Sequence, residues 1–159
     1  MTIRPATRDD LPALGRLGAL LMRTHYDFDR RRFLSPGGDP ENGYAWFLGT
    51  QIDRSDCVVL VAERDGQVVG YVYAGLEELS WKELRDAAGF IHDVVVDDRG
   101  RRLGVATALI EAAAEWLRAH GAPRVMLWTA EQNVGAQKLF AKLGFRRTMI
   151  EMTRELDPF

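Results

Sequence analysis

The stretch from Phe90 to Thr107 constrains the fold more than any other part of the chain. Val94, Val95 and Val96 are consecutive β-branched residues, a pattern typical of a strand that is buried on both faces. From Leu103 onwards the apolar residues recur at helical spacing. The sequence therefore predicts a strand over 90–96 that leads through a basic, glycine-containing turn directly into a long helix.

The turn between this strand and this helix is predicted to bind an anion. It contains Arg99, Arg101 and Arg102, followed by Gly104. The first N–H groups of a helix have no partners within the helix, and the helix dipole places partial positive charge at the same end. Because backbone donors and guanidinium groups meet here, a phosphate is the ligand that such a turn favours.

The composition limits the kinds of protein this can be. A chain of 159 residues with 47% hydrophobic and 28% charged residues is typical of a single globular domain, here predicted to span 1–159. A net charge of −2 argues against a nucleic-acid or membrane partner, so the arginine cluster is a local feature.

The sequence also predicts neither a disulfide nor a metal site. Cys57 is the single cysteine, and the three histidines lie far apart without zinc-type spacing. No stretch reads as a signal peptide or a membrane span, so a cytoplasmic protein is expected.

The remaining predicted elements place the opening stretch within an α/β (α+β) fold. Strands are predicted over 2–6, 57–63, 68–76, 90–96 and 124–129, with two final strands within 145–156. Helices are predicted over 11–22, 41–52 and 103–120, with a short one after Asn133. Asp65-Gly66 is typical of a tight antiparallel hairpin turn. The order indicates a mixed, mostly antiparallel sheet of about seven strands flanked by about four helices.

Two segments, in this order, resemble the GNAT superfamily of N-acetyltransferases over nearly the whole chain. The first matches the family's acetyl-CoA pattern (Gln or Arg)-x-x-Gly-x-(Gly or Ala) and reads Ile91-x-x-Val94-x-Val96 and then Arg101-Arg102-Leu103-Gly104-Val105-Ala106. The second reads Asn133-x-x-Ala136-x-x-x-Phe140-x-x-x-Gly144-Phe145. Neither segment is specific alone, but both together, after an Asp-Gly hairpin, are distinctive. The resemblance implies a GNAT-like fold and acetyl transfer from acetyl-CoA to a primary amine.

The resemblance also implies which residues hold acetyl-CoA. Backbone groups of Val94, Val95 and Val96 would bind the pantetheine arm as an added strand does, and an N–H near Val94 would polarise the thioester carbonyl. Asn133 would contact the pantetheine arm, unless it only caps its helix, and Phe140 would pack against the cofactor. The pyrophosphate would lie on the turn and helix start, formed by Arg101, Arg102, Leu103, Gly104, Val105, Ala106 and Thr107.

The chain departs from the family pattern at Phe140, where many members have a tyrosine that protonates the departing thiolate. A phenyl ring cannot donate a proton, so no general acid is assigned there. Because a thiol has a pKa near 8.5, coenzyme A can leave without one, and water could deliver the proton. Tyr71 and Tyr73 are candidate substitutes, with cross-strand packing as the alternative role.

His92 and Asp93 are the candidate catalytic residues. Some family members carry a glutamate where this chain has Phe90, and His92 lies two residues on, on the same side of a regular strand. An imidazole suits proton removal near neutral pH. Asp93 faces the opposite way unless a β-bulge intervenes. A hydrogen-bonded structural role is the alternative for both.

The sequence says least about the acceptor and about partners. Asp27, Asp29 and Glu41 could attract a cationic amine, or could be solvated loop charges. A small amine, an antibiotic-like amine and a protein lysine or N-terminus all stay open, as does a longer acyl group. A non-catalytic acyl-CoA-binding or regulatory module on the same fold is the alternative function, and the chain is compatible with a homodimer.

Overall fold

A computed structural model describes residues 1–158 of the chain. Its strands are β1 (Thr2–Pro5), β2 (Cys57–Arg64), β3 (Gln67–Glu77), β4 (Ala88–Val96) and β5 (Val125–Leu127). Its helices are α1 (Leu11–Phe28), α2 (Pro40–Ile52), α3 (Val105–Ala119) and α4 (Val134–Lys142), with a 3-10 turn at Arg8–Asp10 before α1.

The five strands form one sheet in the order β1-β2-β3-β4-β5. All neighbours run antiparallel except β4 and β5, which are parallel. Asp65 and Gly66 take φ values of 52° and 75° in the turn between β2 and β3, as the tight hairpin requires. The predicted mixed, mostly antiparallel fold class is confirmed.

The sheet carries helices on both faces. One core cluster joins α1 and α2 to the sheet through Leu14, Leu17, Leu48, Val61 and Tyr71, among others. The other joins α3 and α4 to the opposite face through Val72, Ile91, Leu109, Leu117 and Phe140, among others. The two hydrophobic faces of one sheet are thus each covered by a pair of helices.

The predicted number of about seven strands was wrong, since the described residues form five strands. Residues 145–156, expected to supply the last two, form neither helix nor strand. Their alternating pattern suits a strand, but a strand needs a neighbouring edge to satisfy its backbone, and no edge of this sheet pairs with them.

Two helix boundaries also differ from prediction. α1 continues to Phe28, not Met22, and the rings of Phe28 and Phe33 pack against His25 at 5.5 and 5.0 Å between centroids. α3 begins at Val105, so Leu103 lies in the preceding turn. No helix among the described residues is long and apolar enough to cross a membrane.

Candidate functional site

β4 and β5 pair at one end and then separate. The last residue pair in their register is Ile91 with Leu127. The Asp97 N–H donates to the Val69 carbonyl on β3 at 2.9 Å. Because such bonds alternate along an antiparallel strand, Val94 and Val96 turn their backbone N–H and C=O groups away from β3, toward the side that β5 leaves open. The fork between the strands can therefore take an extended ligand as an added strand.

A β-bulge lies on β4 at His92. Tyr73 is opposite Asp93 and Ala74 is opposite Ile91, so His92 is the extra residue. The bulge brings two neighbours in sequence to the same side of the sheet: the His92 ring lies 4.9 Å from that of Tyr73, and Asp93 bonds to the hydroxyl of Tyr44 on α2. The condition that the sequence set for Asp93 is met.

Asp93 is held by two tyrosines. Its Oδ2 accepts hydrogen bonds from the hydroxyls of Tyr44 and of the fully buried Tyr71, the latter at 3.0 Å. Desolvation raises the pKa of Asp93, and the two hydroxyl bonds offset part of that rise. Gly18 on α1 makes room for this arrangement, because a Cβ at Gly18 would overlap the Tyr44 ring. Asp93 therefore anchors the bulge to α2.

A cavity of about 170 Å³ opens where the two strands fork. His92 Nε2 lies 3.3 Å from Glu77 Oε1 within it. A second carboxylate, Glu83, is paired with Arg85 at 2.9 Å, which leaves Glu77 as the carboxylate without a cationic partner of fixed charge. The cavity is lined by Glu77, Glu83, Arg85, Phe90, Ile91, His92 and Trp128.

The imidazole of His92 is suited to accept a proton at neutral pH. Desolvation lowers its pKa below the ordinary histidine value, and the negative charges of Glu77 and Asp93 offset part of that fall. A neutral ring at pH 7 keeps a lone pair available. Glu77 is placed to stabilise the imidazolium that proton uptake would create.

The residue pattern missed Glu77, Tyr44 and Trp128. Glu77 ends β3 and Trp128 directly follows β5, so both reach the cavity through the sheet register and not through proximity in sequence. Gly15 and Gly18, three residues apart on α1, were the available signal that α2 packs closely there.

Several predicted candidates lie elsewhere. Asp29 accepts hydrogen bonds from the N–H groups of Arg31 and Arg32, and Asp27 pairs with Arg30 at 3.9 Å. Neither these two nor Glu41 line the cavity, which fits the alternative of solvated loop charges.

The two tyrosines of β3 have partners within the fold. The Tyr71 hydroxyl donates to Asp93, and that of Tyr73 donates to Gln51 Oε1 at 2.9 Å. Burial raises the pKa of Tyr73 to about 12. These contacts favour the packing role over that of a proton donor to the thiolate.

The start of α3 leaves its N–H groups free. Gly104 precedes the helix with φ of 74°, and no side chain caps the helix there. The N–H groups of Val105, Ala106 and Thr107 have no intrahelical acceptors. A Cβ at Gly104 would point into open space, so an incoming ligand can approach the main chain at this point.

The three arginines of the turn have different partners. Arg99 binds the buried Asp97, with Nη2 2.6 Å from Oδ2, and Arg16 on α1 binds the same oxygen at 3.0 Å. Burial alone would raise the pKa of Asp97, but these bonds outweigh it and the pKa lies below the ordinary range. Arg99 is therefore an anchor of the turn.

The other two arginines are exposed. Arg101 pairs with the exposed Asp98 at 3.0 Å, while Arg102 has no ion-pair partner within residues 1–158. Arg102 takes φ of 62°, a left-handed conformation that costs an ordinary residue about 1 kcal/mol. Leu103, between Arg102 and Gly104, is 51% exposed.

α4 carries the last two predicted ligand residues. The Asn133 Oδ1 accepts from the Ala136 N–H at 3.2 Å, which is the predicted cap, and its amide NH₂ makes no hydrogen bond to the described residues. Phe140 is buried in the core cluster with α3, its ring 5.9 Å from that of Phe145. Among residues 1–158, no three acidic, histidine or cysteine side chains are grouped to hold a metal ion.

Comparison with known proteins decides the family. The sequence model of the acetyltransferase (GNAT) family matches residues 21–145, which include the fork, the cavity and the start of α3. The chain belongs to the GNAT family. The resemblance seen in the two sequence segments is confirmed, and the family is one of acyltransferase enzymes.

Relatives of this GNAT protein support the assignment. It is 31% identical to an uncharacterised N-acetyltransferase of Archaeoglobus fulgidus, with 92% of this chain and 94% of the relative aligned. It is also 31% identical to an uncharacterised N-acetyltransferase of Methanocaldococcus jannaschii; the match covers 91% of this chain and 60% of that longer relative. The fold is similar to that of an aminoglycoside N-acetyltransferase solved in complex with CoA, at a TM-score of 0.75 and 22% identity, covering 98% of this chain and 95% of the other.

Proposed function

We propose that this protein transfers an acetyl group from acetyl-CoA to a primary amine by direct attack of the amine on the thioester. The observation that carries the proposal is one continuous path. It runs from the uncapped start of α3, along the open edge of β4, to the cavity at His92 and Glu77.

The proposed cofactor site uses the main chain more than side chains. The N–H groups at Val105, Ala106 and Thr107, with Gly104, Arg101 and Arg102 beside them, suit the pyrophosphate of coenzyme A. The outward-turned groups of Val94 and Val96 suit the amides of the pantetheine arm, with Val95 directed into the α1–α2 core between them. The amide NH₂ of Asn133 is a further donor toward that arm.

The same path sets out the proposed chemistry. Bound acetyl-CoA would supply the thioester whose carbonyl carbon the amine attacks, forming the C–N bond as the C–S bond breaks. The Val94 N–H is placed to donate to the carbonyl oxygen as negative charge develops on it. His92 takes the proton that the amine must lose, and Glu77 stabilises the resulting imidazolium. The leaving thiolate takes its proton from water, because the described residues offer no free acid near Phe140.

The cavity favours an acceptor whose reacting end is a cationic amine. Glu77 supplies an unpaired negative charge, and the aromatic rings of Phe90 and Trp128 meet edge to face at 5.5 Å to form one wall. An ammonium group gains from both the carboxylate and the aromatic faces. A volume of about 170 Å³ fits the terminal part of an acceptor, so a small amine and the amine of a larger molecule both suit it.

Calorimetric titration with acetyl-CoA tests the cofactor part of this proposal. We expect saturable binding with a Kd in the micromolar range, equivalent to about −8 kcal/mol, and competition by free coenzyme A. Absence of heat at millimolar acetyl-CoA would contradict it. A single domain over 1–159 and a homodimer stay predictions.

A further inference from the structure

The segment after α4 is exposed and unpaired, although its sequence is that of a strand. Residues 146–158 make no backbone–backbone hydrogen bond to any described residue. Four large apolar side chains in it are almost bare: Met149, Ile150, Met152 and Leu156 are 79, 72, 89 and 88% exposed. We call residues 146–158 the C-terminal arm. Its exposed apolar surface is more than an isolated chain leaves in water without cost.

The sheet has a matching vacancy at β5. This strand is the last in the sheet order and has a neighbour on one side only. The Arg124 carbonyl accepts from the Gly89 N–H on β4 at 2.9 Å, so alternation turns the N–H groups of Val125 and Leu127 toward the free edge. Trp128, directly after β5, is 74% exposed. An unpaired edge beside an exposed tryptophan is a surface that accepts another strand.

The surface of α4 extends this vacancy. An open depression of about 720 Å³ lies along the helix and is lined by Gly135, Lys138, Leu139, Ala141 and Lys142. Neither lysine has an ion-pair partner within residues 1–158. The outer part of the arm, residues 149–158, carries three acidic residues and one arginine. The arm and the depression are therefore complementary in both apolar character and charge.

The arm does not fill the vacancy of its own molecule. It instead reaches the loop after α1, where Glu151 pairs with Arg32. Since one chain carries both an unpaired strand and an unpaired edge, two copies related by a two-fold axis can satisfy both reciprocally. Each residue of an extended chain exposes roughly 160 Å², so two arms of 13 residues that each bury half their surface remove about 2,000 Å², above the usual size of a stable interface.

We propose that two copies of this chain exchange their C-terminal arms, each arm adding a strand to the free edge of β5 in the other copy. The exchange buries the apolar side chains of the arm and covers α4. It also places the arm of one copy beside Trp128, a wall residue of the acceptor cavity in the other. The dimer thereby completes a site that a single copy leaves open to solvent.

Sedimentation velocity of the full-length chain tests the exchange. We expect twice the monomer mass for the wild type, and monomer for the variant Ile150→Glu with Met152→Glu, because both changes put charge onto the buried strand. Both positions are solvent-exposed within one copy, so the monomer fold should persist, as circular dichroism can verify. Leu84→Glu, at a position 90% exposed on the β3–β4 loop, is the matched control and should stay dimeric.

A second variant tests the receiving edge. Val125→Pro removes one outward N–H from β5 and should also give monomer. Hydrogen exchange should be slow at the amides of Met149 to Met152 in the dimer and fast in both monomeric variants. A monomeric wild type overturns the proposal, even with protected arm amides, since the arm would then pair within its own copy. A dimer that survives the paired arm substitutions overturns it as well.

Discussion

At the scale of single residues, His92 and Glu77 decide how protons move at this site. Glu77 Oε1 lies 3.3 Å from His92 Nε2, and its charge holds the pKa of His92 higher than desolvation alone would. The imidazole is nonetheless neutral at pH 7, because desolvation is the larger effect. If His92 accepts the proton of the amine, activity depends on its unprotonated form.

Replacing Glu77 should therefore shift the pH profile. In Glu77→Gln the charge that raises the pKa of His92 is lost, so the acid limb of kcat/KM should move to lower pH. The KM for a cationic amine should rise about tenfold, the effect of losing about 1.4 kcal/mol of attraction.

Glu83→Gln is the control for that prediction. Glu83 is already neutralised by Arg85, so its replacement should change both quantities much less. An acid limb that stays in place in Glu77→Gln, measured with a saturating neutral acceptor analogue, would count against His92 as the base.

Sequence reasoning succeeded at this scale only where residues are neighbours along the chain. His92 and Asp93 precede a recognisable strand-turn-helix, and the bulge that brings both to one side was foreseen as a condition. Glu77, Trp128 and Tyr44 reach the site through the pairing of β3 with β4, the fork of β5 and the packing of α2. Those relations depend on tertiary register, which a residue pattern does not contain.

At the scale of elements, the turn into α3 is where conformation and binding meet. Gly104 takes φ of 74°, with open space where a side chain would lie. Valine at this position would both strain the turn and project into the space proposed for the pyrophosphate. The two effects need to be separated.

Gly66 allows that separation. It has φ of 75° and equally open surroundings, but it lies in the β2–β3 hairpin. Gly104→Val and Gly66→Val should lose similar stability, while only Gly104→Val should weaken acetyl-CoA binding, by tenfold or more in calorimetry. Equal affinities for acetyl-CoA in the two variants would remove the turn from the site.

The cap of α4 offers a second test at this scale. Asn133 uses its Oδ1 as the cap and keeps its NH₂ free. Asn133→Asp preserves an accepting oxygen, so thermal stability should hardly change, whereas Asn133→Ala should cost about 1 kcal/mol. If the free NH₂ contacts the pantetheine arm, both variants should bind acetyl-CoA more weakly. Unchanged affinity in Asn133→Asp would leave Asn133 with the capping role alone.

The two missing strands show the limit of prediction for elements. The β4-turn-α3 unit was predictable because its patterns are local and strong. Residues 145–156 have a strand-like pattern too, but a strand forms only against an edge, and their own copy provides none. Their exposure is explained at the scale of the assembly if the arms are exchanged.

At the scale of the whole molecule, Asp97 ties three parts of the fold together. It receives Arg16 from α1 and Arg99 from the turn, and the Arg99 guanidinium also donates to the Val68 carbonyl of β3 at 3.2 Å. The pKa of Asp97 is below its ordinary value in the folded state. Its contribution to stability is therefore present above the unfolded pKa near 3.9 and is lost as the pH falls through the folded value.

Asp97→Asn should lower the free energy of unfolding at pH 7 by about 2 kcal/mol. The difference from the wild type should shrink below about pH 4, where the wild-type carboxyl also becomes neutral. Asp98→Asn is the control, since that exposed carboxylate pairs only with exposed Arg101 and should matter little. Urea titrations at both pH values measure this, and a difference that persists at low pH would contradict the linkage.

The central claim is acetyl transfer to an amine, and the most direct measurement is release of free thiol from acetyl-CoA over a panel of amines. The panel should span small alkylamines, an aminoglycoside, a lysine-containing peptide and a peptide with a free N-terminus. We predict amine-dependent thiol release with acetylated product identified by mass spectrometry, and release reduced in His92→Ala without loss of acetyl-CoA binding. Binding of acetyl-CoA with no amine-dependent release for any acceptor would contradict the proposed reaction and favour a non-catalytic acyl-CoA-binding module.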